Sequence, residues 1–222
     1  MKLQYLGDSK DCFKWDYHDF LLTELNYQLF NIALMMTPPD KTNDGKSHPT
    51  LFPARKEVIE FCNELRQKQS VNKIKLLPIK TGSSYHINFH NNDSYFSNQN
   101  RYEYFLNVNK TNKQVIFLDP DNGFEPEKSI NEKHVSYNNI TQVLEQISDD
   151  SVISVFQHHR RKKFYDDFSQ IRKRIEHGYS VAIYWHSLMF VSISKSEKII
   201  KKIKAINSKY AKLNPVEILP TS

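Results

Sequence analysis

Val181-Ala182-Ile183-Tyr184-Trp185-His186-Ser187-Leu188-Met189-Phe190-Val191-Ser192-Ile193 is the stretch that decides the fold. Two apolar runs flank the short connection His186-Ser187-Leu188. A connection that short joins antiparallel neighbours, because a parallel crossover needs a dozen residues or more. Residues 181–185 and 189–193 are therefore expected to form an antiparallel pair. The pattern upstream is different. Apolar runs at 29–36, 74–79, 115–118 and 152–156 read as buried strands. Helical spacing of apolar residues at 11–25, 54–67, 98–108, 139–147 and 164–176 fills the intervals. Residues 81–97 read as a polar, Asn-rich insertion in which Tyr85, Ile87 and Phe89 alternate as one short strand. A Lys-rich helix at 196–212 ends the pattern. Strands alternating with helices predict a single α/β domain over residues 1–222. Its sheet should be mostly parallel, with helices on both faces, closed by the C-terminal antiparallel hairpin.

Composition narrows the function classes. The chain has 222 residues, 39% of them hydrophobic and 13% aromatic, which is ample for a core and too apolar for disorder. No apolar run reaches the ~20 residues of a membrane span. Residues 1–8 carry acid where a signal peptide would be apolar, so a cytoplasmic location and no membrane partner are expected. Cys12 and Cys62 are too few for a disulfide scaffold and read as reduced core thiols. The net charge of +6 comes from 31 Lys+Arg against 25 Asp+Glu. The excess gathers late in the chain, at Arg160-Arg161-Lys162-Lys163, Arg172-Lys173-Arg174 and the Lys-rich tail. Such a distribution attracts a polyanion, so nucleic acid or a nucleotide is the expected partner.

In an open α/β sheet, ligands bind beyond the carboxyl ends of the strands. Three of the expected strands end in polar residues. After 29–36 comes Thr37-Pro38-Pro39-Asp40-Lys41-Thr42-Asn43-Asp44-Gly45-Lys46, long enough for a substrate loop. After 115–118 comes Asp119-Pro120-Asp121-Asn122-Gly123-Phe124-Glu125. After 152–156 comes Gln157-His158-His159-Arg160-Arg161. Pro-Asp-Asn-Gly is itself good turn chemistry, but a turn does not require Asp119 at the strand terminus. Asp119 and Asp121 would suit Mg²⁺, which takes one or two carboxylates and completes its shell with water and phosphate. Glu125 could add a third carboxylate or act as a base. Adjacent histidines on a strand point to opposite faces, so only one reaches a site, and His158 follows the strand more directly. Asp8, Asp11 and Lys14 are spaced three apart at a helix start, as an anion or metal site or as a capped helix with an internal ion pair. There is no G-x-G-x-x-G, P-loop or G-x-S-x-G motif.

Taken together, YLGDSKDCFKWD, the TPPDKTNDGK loop, FLDPDNGFEP and VFQHHRR resemble an uncharacterised family of bacterial and mobile-element proteins with FLDPDNG-type and QH-type signatures. The resemblance runs in order over roughly residues 4–194 and implies no particular activity. The element order, with its closing hairpin, looks like the Rossmann-like methyltransferase architecture. The D-x-x-K helix start and the aspartate-proline turn are similar to some Rossmann-like nucleic-acid methyltransferases. In the adenine-modifying members that turn reads DPPY. Here Asp119-Pro120-Asp121-Asn122 lacks the second proline and the aromatic, and Pro38-Pro39-Asp40 stands where those enzymes carry a glycine-rich loop.

The leading expectation is metal-assisted hydrolysis of a phosphodiester in nucleic acid or a nucleotide. Asp119 and Asp121 would hold Mg²⁺, with Glu125 or Asp40 assisting, and His158 would move protons. Lys14, Arg160 and Arg161 would grip phosphate, and Asp40, Asn43, Asp44, Asn122 and Gln157 would line the substrate. The alternative is a divergent S-adenosylmethionine-dependent methyltransferase. A third reading is a non-catalytic nucleic-acid- or protein-binding factor in phage–host conflict.

Overall fold

The structure is a computed structural model that describes residues 2–39, 47–90, 94–108 and 111–220. Helix α1 (Ser9–Leu25) leads into β1 (Leu29–Ala33). α2 (Lys56–Lys68) and the short α3 (Leu77–Thr81) precede β2 (His86–Phe89). α4 (Arg101–Leu106) leads to β3 (Gln114–Leu118). A two-residue parallel pair, β4 (Gly123–Phe124) with β5 (His134–Val135), stands apart from the main sheet. Then follow α5 (Tyr137–Gln146), β6 (Val152–His158), α6 (Phe164–Arg174), β7 (Tyr179–Trp185), β8 (Leu188–Ser194), α7 (Glu197–Ala211) and β9 (Glu217–Leu219).

The main sheet has the order β2-β1-β3-β6-β8-β7-β9. β2, β1, β3, β6 and β7 run one way, and β8 and β9 run the other. The hairpin expected from His186-Ser187-Leu188 is β7–β8, with Trp185 opposite Leu188. His186 takes a positive φ of 49° in its turn. The hairpin does not close the sheet as expected. β9, too short and too close to the chain end to show a pattern, pairs outside β7 and forms that edge.

Strand alternation divides the core into two layers. Val115 and Phe117 face one side of β3, and Ile116 and Leu118 face the other. The first layer packs the sheet against α1, α2, α3 and α7, through Phe13, Leu21, Phe61, Leu65, Leu77, Ile203 and Tyr210. The second packs it against α4, α5 and α6, through Phe105, Ile140, Val143, Phe168 and Ile171. Helices thus cover both faces. Each fully buried side chain of this size contributes roughly 1.5–3 kcal/mol, so the two layers carry most of the stability. None of the helices among the described residues is long and apolar enough to cross a membrane.

One expected strand is absent. Residues 74–79 form the end of a 3₁₀ turn (Val71–Leu76) and most of α3. Pro78 cannot donate to a ladder and suits the first turn of a helix. Ile74, Leu77 and Pro78 are the residues buried, at the i, i+3, i+4 spacing of one helical face. Both cysteines are free and buried, as expected of core thiols.

Candidate functional site

Helix α1 positions the site. Asp8 caps it, its Oδ1 accepting from the Asp11 amide at 2.9 Å. Gly7 just before it sits at φ +80°, where a Cβ would lie 2.2 Å from the Cys62 carbonyl oxygen, so only glycine lets the chain enter here. α1 is buried on nearly every side, between the sheet and the α2 and α7 helices. Its first two turns lie over the carboxyl ends of β3 and β6. Lys14 reaches Asp119 at the end of β3, with Nζ donating to Oδ2 at 2.8 Å. The same Nζ lies 2.8 Å from Asp11 Oδ1. Lys10, one turn earlier, lies 3.0 Å from His158 Nε2 at the end of β6.

Lys14 is a fully buried ammonium between two carboxylates, ringed by Trp15, Phe117 and Phe156 with centroids 5.3, 5.8 and 5.4 Å away. Burial disfavours its charge, but Asp11 and Asp119 outweigh that and raise its pKa. Burial raises the Asp119 carboxyl, and Lys14 opposes the rise. Asp8 is pushed up to about 7, first by burial and then by the neighbouring Asp11. Below this cluster His18 packs among Phe30, Phe117 and Phe190. Its Nδ1 lies 2.7 Å from the Lys14 carbonyl and its Nε2 2.8 Å from Ser154 Oγ, and burial lowers its pKa to about 3. His18 is a neutral strut under the site.

Asp121 stands at the rim. Burial would raise its carboxyl, but neighbouring positive charge, Lys2 at 3.7 Å included, and the Thr37 hydroxyl bring it below the usual range. It is therefore an ionised carboxylate at neutral pH, shared between the ends of β1 and β3.

Gln157, Arg160 and Glu125 belong to a separate internal network. Gln157 is buried, its Oε1 accepting from the Phe124 amide at 2.8 Å. Arg160 donates to the carbonyls of Phe124 and Glu125 at 3.1 and 3.2 Å and pairs with Asp167. Glu125 accepts from the Tyr137 amide at the start of α5 and from Arg174. Together they buckle the β4–β5 pair onto β6 and α6. Gly123 completes the buckle at φ +103°, where a Cβ would lie 2.2 Å from Gln157 Oε1. Asn122 and Arg161 are exposed, Arg161 at a positive φ of 61°. Asp40, Asn43 and Asp44 lie outside the described residues.

Of the expected residues, then, Lys14, Asp119, Asp121 and His158 are brought together at the strand ends. Lys10, Asp11, Thr37 and His18 complete the constellation. Lys10 was legible as the residue one helical turn before Lys14. Thr37 and His18 carried no signal of their own.

The donor set does not fit Mg²⁺ as it stands. Asp119 is ion-paired to Lys14, and Asp121 is bonded to Thr37 and Lys2. Among the described residues no group of three or more His, Cys, Asp or Glu is placed to hold a metal ion. No family model matches the chain, and no match was found among curated proteins or solved structures.

Proposed function

We propose that the chain is a Rossmann-like enzyme of the S-adenosylmethionine-dependent methyltransferase type, with a nucleic acid or nucleotide as acceptor. The observation that carries this reading is the strand order. β8 enters antiparallel between β6 and β7, so the parallel strands are followed by an inserted antiparallel hairpin like that of the methyltransferase-like element order, with β9 added outside it. The aspartate-proline turn at the end of β3 supports it, standing beside the ends of β1 and β6 where ligands of open α/β sheets bind. Fold likeness alone is an analogy, so the site must supply the rest.

The residues present suit a cationic adenosyl ligand in one respect. Asp121 keeps an ionised carboxylate at the rim, which a cationic ligand would share with Thr37 and Lys2, whereas Asp119 is buried against Lys14. The bound ligand would supply an electrophilic methyl group. Lys10 would hold the acceptor phosphate through its remaining N–H groups, with His158 Nε2 accepting from its Nζ and steering it at the end of β6. The Lys14–Asp11–Asp119 cluster would fix the height of α1 over the strand ends.

Metal-assisted phosphodiester hydrolysis is the second reading, favoured by the acids and the His158 imidazole converging on one edge. It requires a cation to compete with Lys14 for Asp119. Thermal shift separates the two. S-adenosylmethionine or its demethylated product, at a hundredfold excess over its Kd, stabilises by about 2.7 kcal/mol, which raises the Tm by about 5–10 °C for a chain of this size. That rise without metal, weakened in Asp121→Asn, is the expected result. No rise with either adenosyl ligand overturns the methyltransferase reading, and a Mg²⁺- or Mn²⁺-dependent rise lost in Asp119→Asn transfers the site to hydrolysis.

A further inference from the structure

A second charged feature lies at the other end of the sheet. A cleft of about 600 Å³ opens between α6, the start of β7 and the first turns of α7. Arg172 and Lys173 come from the last turn of α6, and Lys201 and Lys204 from one face of α7. Glu197 lines the cleft with them and pairs with Lys201 at 3.0 Å. Gly178 and Tyr179 line the cleft, and Tyr179 is 50% exposed.

We infer that this cleft binds single-stranded nucleic acid, with the lysines and arginine on the phosphates and Tyr179 stacked on a base. Cations from two helices, one on each face of the sheet, line the same cleft, so a backbone lying in it meets charge from both sides, which a single convex helix face does not offer. A half-exposed aromatic in such a groove is the other element of sequence-tolerant single-strand binding. A solvated helix face accounts for Lys201 with Glu197, but not for a half-exposed tyrosine lining the same cleft as cations from α6 and α7.

The cleft is remote from the candidate site. Tyr179 pairs with Ser194 at the amino end of the sheet, while Trp185, Leu188 and His158 lie in register at the carboxyl end. Six residues at ~3.3 Å each put the two about 20 Å apart along the strands. The cleft therefore anchors a strand at a distance from the chemistry, and this inference does not depend on the identity of the reaction.

Fluorescence polarisation with a labelled oligothymidylate, over a salt series, tests it. Removing two phosphate contacts in Lys173→Ala/Lys204→Ala should lower the slope of log K against log salt by about 1.4, at about 0.7 per contact for single strands. Tyr179→Ala should weaken binding about fivefold or more, the effect of losing one stacked base. The control Lys56→Ala/Lys80→Ala removes the same charge from α2 and α3 and should leave binding close to wild type. The inference fails if the cleft and control pairs weaken binding equally, or if the cleft pair has no effect. It also fails if Tyr179→Ala binds like wild type while polyglutamate displaces the oligonucleotide, since the cleft would then take acidic peptides.

Discussion

Replacing Lys14 by Met tests the centre of the site. Its Nζ lies 2.8 Å from Asp11 and 2.8 Å from Asp119, and the three side chains are 5%, 6% and 2% exposed. Methionine keeps the length and the apolar contacts with Trp15, Phe117 and Phe156 but removes the charge. Asp119 is then a buried carboxylate facing aromatic rings. Breaking a buried pair by removing one partner costs about 3–5 kcal/mol, against a total stability of about 5–15 kcal/mol. For a chain of this length that lowers Tm by about 6–20 °C. The deficit also has a pH signature. Without the ammonium, burial holds the Asp119 pKa well above its unfolded value, so the folded variant retains a proton that the unfolded chain releases. Its stability therefore falls as pH rises, and the gap to wild type is widest near pH 8 and narrows toward about pH 5. Asp119→Leu added to Lys14→Met should recover part of the loss, because a buried pair exchanged for apolar groups is often neutral. Urea denaturation at both pH values reads all of this from the midpoint and slope. A Lys14→Met protein within about 1 kcal/mol of wild type at pH 8, or a gap that does not change with pH, refutes the reasoning.

The other predictions concern groups around this cluster. His18, lowered to about 3, makes stability fall as pH drops from 6.5 toward 3, because the unfolded chain takes up a proton first. Asp8, raised to about 7, acts oppositely, and its stabilisation fades as pH rises from 3.8 through 7. The two offset each other over most of that range. Asp8→Asn keeps a good helix cap and removes one of them. It should therefore lose stability relative to wild type as pH falls below about 7, by no more than about 1.4 kcal/mol per unit; a difference independent of pH would show that Asp8 titrates normally. Gly123→Ala should cost about 1–3 kcal/mol from its positive φ alone, with the Gln157 clash added. Adding Gln157→Ala should relieve the clash and leave the backbone cost, and chemical denaturation of the single and double variants separates the two.

Much of the fold was legible because its strands are apolar runs and its turns are chemically explicit. Val115–Leu118 and Val152–Phe156 are buried on both faces, and such runs need no partner to be recognised. The hairpin at His186 followed from the length of its connection. Residues 74–79 misled because a run rich in Ile and Leu reads as a strand until Pro78 is weighed, and their burial at a three-residue spacing belongs to a helix. β9 was invisible because three residues cannot display a period.

The site divides along the same line. Strand ends can be found in a sequence, so Asp119, Asp121 and His158 were named. What each one does depends on what lies across the sheet edge, and that is tertiary information. Arg160 looks like a phosphate ligand in sequence, yet its guanidinium is taken up by two carbonyls and Asp167. Asp119 looks like a metal ligand, yet Lys14, 105 positions away, already occupies it. A carboxylate and an ammonium that meet only after folding cannot be paired from a list of residues. The same holds at the rim, where Thr37 and Lys2 take up Asp121 and Lys10 meets His158 only once the chain has folded.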